Sequence, residues 1–120
     1  MADVKLCDSA AVENGGVAWR FRVKQGRRKR TAFLIRYQGT VRAYINECAH
    51  TPVELDMDDG RVFDETGRFL ICATHGATYD PADGSCQGGP CDGRGLISLA
   101  VSEKDGYIYL NEHNMKLVEE

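Results

Sequence analysis

Short stretches of alternating apolar and polar residues, each closed by turn chemistry, constrain this chain most. Val17, Trp19, Phe21 and Val23 are apolar while Arg20 and Arg22 lie between them, and a period of two is that of a half-buried β-strand. Lys24 to Arg30 reads as a turn. Thr31 to Tyr37, with Phe33, Ile35 and Tyr37 on one face, and Val41 to Asn46, with Val41, Ala43 and Ile45, repeat the alternation across Gln38-Gly39, a pair suited to a tight reversal. These three segments predict a meander. Val62-Phe63 and Arg68 to Cys72 flank Asp64-Glu65-Thr66-Gly67, and Leu96 to Val101 and Tyr107 to Leu110 flank Glu103-Lys104-Asp105-Gly106, two further hairpins with glycine where a positive φ is needed. Glu112 to Glu120 reads as a tail. Helical periodicity is nowhere long enough to compete, so the expected fold is all-β, a small antiparallel sandwich or barrel interrupted by two long loops at residues 46–60 and 72–95.

A chain of 120 residues suits one domain spanning 1–120 and leaves no room for a separate catalytic domain. Its net charge of −3 gives no global reason to bind nucleic acid. Met1 to Gly16 does not read as a signal peptide, and no segment approaches the roughly 20 apolar residues of a spanning helix, so the expected location is cytoplasmic, without membrane association. Five cysteines in that compartment are expected to be reduced, as metal ligands or plain thiols.

The chemistry concentrates in Cys48-Ala49-His50 and Cys72-Ala73-Thr74-His75, two mixed Cys/His pairs that each follow a predicted strand. A β scaffold can hold two such loops tip to tip, each giving one thiolate and one imidazole. Structural zinc accepts the same donors, although the common finger spacing puts both cysteines before both histidines. Cys86 and Cys91 have four residues between them, but the third cysteine of a plant-type iron-sulfur motif is absent, since Arg94 stands in its place.

The stretches Cys48-Ala49-His50-Thr51-Pro52 and Cys72-Ala73-Thr74-His75-Gly76 resemble the Rieske iron-sulfur family, and the likeness extends over most of the domain. The resemblance implies one [2Fe-2S] cluster, with Cys48 and Cys72 on the inner iron and His50 and His75 on the outer iron, held in a cluster-binding subdomain of two loops. It also implies that Gly88-Gly89-Pro90 is the loop that covers the cluster. Neutral imidazoles in place of two thiolates make reduction easier, which is why Rieske centres lie between about −150 and +300 mV and plant-type ferredoxins near about −400 mV. Positions that carry a disulfide in the respiratory branch are Val53 and Thr74 here, and the serine that donates to a bridging sulfide there is Ala77. Tyr79 matches the tyrosine that donates towards a ligand thiolate. Fewer donors to sulfur imply a potential towards the low end of the range.

A soluble one-electron carrier is therefore expected, passing electrons from a reductase to an oxygenase or similar terminal enzyme that docks near His50 and His75. It is not itself an enzyme: a mononuclear iron needs two further histidines and a carboxylate, and only His113 remains. A small redox subunit of a larger reductase and a non-redox, zinc-stapled binding module are the alternatives. Arg27-Arg28-Lys29-Arg30 reads first as a solvated turn; with no interleaved aromatic residue to stack on bases, a functional use would be partner docking rather than nucleic-acid binding. Glu54, Asp56, Asp58 and Asp59 match no calcium loop and read as a solvated surface.

Overall fold

The chain enters its first sheet at β1 (Val4–Asp8), followed by a turn of 3-10 helix (Ser9–Ala11). After these come β2 (Trp19–Gln25), β3 (Arg28–Tyr37), β4 (Thr40–Ile45), β5 (Leu70–Ile71), β6 (Thr78–Tyr79), β7 (Cys86–Gly88), β8 (Ser98–Leu99), β9 (Val101–Lys104), β10 (Tyr107–Leu110) and β11 (Lys116–Leu117). This computed structural model describes residues 4–47, 55, 60–72, 76–89, 94–112 and 116–117. The strands form a central sheet ordered β11-β2-β3-β4-β8, an outer sheet β1-β10-β9 and a small sheet β5-β6-β7. Pairing within all three is antiparallel. The expected all-β architecture is present.

The meander is β2-β3-β4, with shifted boundaries. Val17 is exposed and outside the strand, whereas the hairpin continues through the cationic segment expected to be a turn, pairing Lys24 with Lys29 and Gln25 with Arg28. Gly26, at φ 60°, lets the chain reverse within two residues, so the cations belong to strand ends. At the other reversal Gln38 and Gly39 both have positive φ, 51° and 82°, the combination that matches strand twist.

Two apolar cores lie on opposite faces of the central sheet. Phe21, Val23, Ala32, Leu34, Ala43 and Ile45 pack with Ile108 and Leu110 of the outer sheet. Phe33, Ile35 and Tyr44 face the other way and pack with Leu70, Cys72, Ala77 and Tyr79 of the small sheet. Ala32-Phe33-Leu34-Ile35 is consequently buried on both faces, which explains an uninterrupted apolar run inside an otherwise alternating strand.

Leu96 to Val101 is not one strand: β8 pairs with β4 and β9 with β10, so the chain changes sheets at Ala100. Residues expected to be a tail contribute β11, where Lys116 and Leu117 pair with Lys24 and Val23. The far ends of the sheets are joined by Arg36, whose guanidinium donates to the carbonyls of Val12, Ser9 and Gly39 and pairs with Glu103 at 2.6 Å. That arginine holds the Glu103 carboxyl down to about 2. Among the described residues, no helix is long and apolar enough to cross a membrane.

Candidate metal centre

The first cysteine-histidine loop leaves the central sheet after β4. Its base is fixed by Asn46, a fully buried polar residue among the described ones. The Asn46 N–H donates to the Thr31 carbonyl at 2.8 Å, and its side-chain Oδ1 accepts from the Leu55 N–H at 2.8 Å. Leu55 has no exposed surface and packs into the core shared with the small sheet. The loop is thus held at both its root and its middle. Glu47, the residue before Cys48, is gripped by Arg30 at 3.1 Å and approached by Arg28 at 3.7 Å. Cys48 and His50 lie outside the described residues, as do Glu54, Asp56, Asp58 and Asp59.

The second loop joins β5 to β6. Cys72 follows β5 directly, is completely buried and takes part in no disulfide. Its N–H donates to the Ala77 carbonyl, and its own carbonyl accepts from the Gly76 N–H, both at 2.8 Å. These two bonds close a narrow turn between strands too short to hold one otherwise. His75 lies outside the described residues, as do Ala73 and Thr74.

Strand β7 pairs with β6, placing Gly88 opposite Thr78. Gly89 then takes φ 77°, and a Cβ built on it would stand 2.8 Å from the Gly76 oxygen and 2.9 Å from the Ala77 Cα. The glycine segment therefore rests on the backbone of the second cysteine-histidine loop, an approach only glycine permits. Pro90 and Cys91 fall outside the described residues. Tyr44 anchors the turn before β7 from within the core, its hydroxyl donating to the Pro81 carbonyl at 2.7 Å, and burial pushes its phenol well above the usual range. Tyr79 is fully buried in the same core.

One expectation about the thiols is overturned: Cys86 is disulfide-bonded. It packs half-buried against the core around Cys72, and an argument from compartment does not register that proximity. The Cys7 thiol, also outside any disulfide, is pushed up by burial and by neighbouring Asp8.

Sequence reasoning missed Asn46. A polar residue ending an apolar strand, immediately before Glu47-Cys48, was the available signal.

The donor chemistry fits an iron-sulfur group. A buried cysteine sulfur outside any disulfide stands at a strand end, within a turn whose backbone is committed elsewhere, and a glycine segment presses on that turn. Comparison with known proteins agrees. No curated protein matches the chain. Among solved structures it is similar to a ferredoxin of Sphingomonas yanoikuyae B1, at 22% identity and a TM-score of 0.71, over 93% of this chain and 100% of that one. The ferredoxin of carbazole 1,9a-dioxygenase from Nocardioides aromaticivorans IC177 aligns at 20% identity and a TM-score of 0.71, covering 92% and 97%. A complex of reduced oxygenase and oxidized ferredoxin in carbazole 1,9a-dioxygenase aligns at 21% identity and a TM-score of 0.68, covering 90% and 91%. At such identities these likenesses establish the fold. The Rieske [2Fe-2S] domain family itself matches residues 3–108, almost all of the sheet framework described above, and the chain belongs to that family, whose cofactor is a [2Fe-2S] cluster.

Proposed function

We propose that residues 1–120 form one cytoplasmic electron-carrier domain, in which Cys48 and Cys72 hold one iron and His50 and His75 the other. When bound, the cluster supplies reversible one-electron oxidation and reduction. The observation that carries this reading is the placement of Cys72: a completely buried sulfur, outside any disulfide, on a hydrogen-bonded turn beneath Gly89, inside the span matched by the family.

Each neighbouring residue then has a stated task. Asn46 sets the length and direction of the first ligand loop by holding Leu55. Gly76 and Ala77 orient the Cys72 thiolate, and Gly89 brings the covering segment close enough to exclude water and lower the local dielectric. His50 and His75, whose outer ring nitrogens remain available, form the edge through which an electron leaves, so the partners dock over them. The donor is a reductase and the acceptor an oxygenase or similar terminal enzyme. Ferredoxins that accompany an oxygenase share this fold, which supports the assignment. The chain performs no bond chemistry of its own.

Anaerobic purification followed by absorbance spectroscopy and a dithionite titration tests the proposal. A coloured protein that takes up and returns one electron per chain is expected. A colourless protein containing zinc contradicts it.

A further inference from the structure

Charge is strongly segregated along this chain. Between Glu13 and Glu47 there are nine Lys and Arg residues and no acidic residue, while the rest of the chain has six cations and all 18 acids. The segment that forms β2, β3 and β4 therefore carries +9 and the remainder −12.

Folding concentrates that charge instead of dispersing it. Lys24 stands directly opposite Lys29 on β3, a row of two lysines in register across adjacent strands. Like charges directly across a sheet are destabilising, so this row is a poor arrangement for stability alone. Lys24, Arg27 and Lys29 are exposed, and among the described residues none of them has an ion-pair partner.

The location of the row matters as much as its charge. Arg20 pairs with Phe33, Arg22 with Thr31 and Lys24 with Lys29, so the exposed cations share the sheet face on which Phe33 packs against Cys72 and the small sheet. They also lie at the end of the sheet from which the chain departs towards Cys48, since Arg28 and Arg30 reach Glu47. A cationic surface thus adjoins the root of the first ligand loop, on the cluster side of the molecule.

We propose that the β2–β3 hairpin, through Lys24, Arg27 and Lys29, steers and docks an electron-transfer protein whose contact face is acidic. This inference rests on the carrier reading and adds the docking surface and the partner's charge. A positive patch beside an electron-exit edge raises the encounter rate with an acidic protein by roughly 10-fold to 1,000-fold and loses that advantage in salt.

The test uses the intact holoprotein and cytochrome b5, an acidic haem protein, as probe. Surface plasmon resonance measures binding without electron flow, and stopped-flow absorbance measures transfer from the reduced carrier. Binding and transfer should both weaken as salt rises. The triple variant Lys24→Glu, Arg27→Glu, Lys29→Glu should lower both at least about tenfold, while the same positions changed to Gln, a gentler alteration of the strands, should give an intermediate loss. Lys104→Glu, at the opposite end of the sheets near Glu103, should change neither. Unaltered binding and transfer in the hairpin variants overturn the inference, as does salt-sensitive retention of duplex DNA that the triple variant loses while its cytochrome b5 binding persists. Failure of the carrier reading would be distinct, because dithionite would then not reduce the protein reversibly whatever its affinity for cytochrome b5.

Discussion

Asn46 Oδ1 accepts the Leu55 N–H at 2.8 Å with both residues buried, so one side chain ties the root of the first ligand loop to its middle. Replacing Asn46 by Ala leaves a buried N–H without its acceptor, which costs about 1–3 kcal/mol. Urea denaturation of the holoprotein should show that loss, with iron released at lower denaturant. Asn46→Asp keeps an acceptor oxygen and should retain more of the stability. An Ala variant as stable as the parent contradicts the bracing role.

Gly89→Ala should be far more damaging than Gly67→Ala, although both glycines have positive φ, 77° and 72°. At Gly67 a Cβ meets nothing within 4 Å, so the cost is backbone strain alone, roughly 1–2 kcal/mol. At Gly89 it collides with backbone atoms of Gly76 and Ala77, which cannot swing aside. Bleaching of the visible spectrum by an iron chelator should accelerate strongly in Gly89→Ala and little in Gly67→Ala. Equal rates would mean that the glycine segment does not cover the cluster.

Ala77→Ser restores the hydroxyl that the respiratory branch directs at a bridging sulfide. One added hydrogen bond to the reduced, more negative centre is worth about 1 kcal/mol, which for one electron corresponds to roughly 40 mV. Protein-film voltammetry should find the midpoint raised by that order. A midpoint unchanged or lowered would show that residue 77 does not face the sulfide.

The meander could be read from the sequence because Trp19 to Val23 and Val41 to Ile45 alternate and its reversals carry glycine, whereas β6 and β7 of the small sheet lie in the segment 72–95 expected to be a loop, whose glycines and prolines give it turn chemistry. Strands β1 and β11 escaped for a different reason. The bulge between Lys5 and Cys7 breaks the alternation of β1, and two residues at Lys116–Leu117 are too few to display a period. The hairpin cations were misplaced because six polar residues around Gly26, from Lys24 to Arg30, resemble a loop, and only the pairing of Lys24 with Lys29 reveals a strand. At the site, ligand identity was visible in local spacing, whereas Asn46 acts through a contact nine residues away that no local pattern displays. The bond at Cys86 was hidden by an argument from compartment that carries no information about proximity.

That bond offers a check on the ligand set. Neither Cys7 nor Cys72 takes part in a disulfide, and with Cys48 committed to iron the expected partner of Cys86 is Cys91. Acid quenching of the holoprotein with a thiol-trapping reagent, followed by peptide mass spectrometry, should recover a peptide cross-linked between Cys86 and Cys91. A cross-link between Cys86 and Cys48 would remove Cys48 from the ligands.

The most direct test of the account is pulsed EPR on the dithionite-reduced protein. Strong hyperfine coupling to two nitrogens is expected, together with loss of the native signal in both His50→Ala and His75→Ala. A reduced cluster without nitrogen coupling, or a native signal that survives either substitution, would contradict ligation by those two histidines.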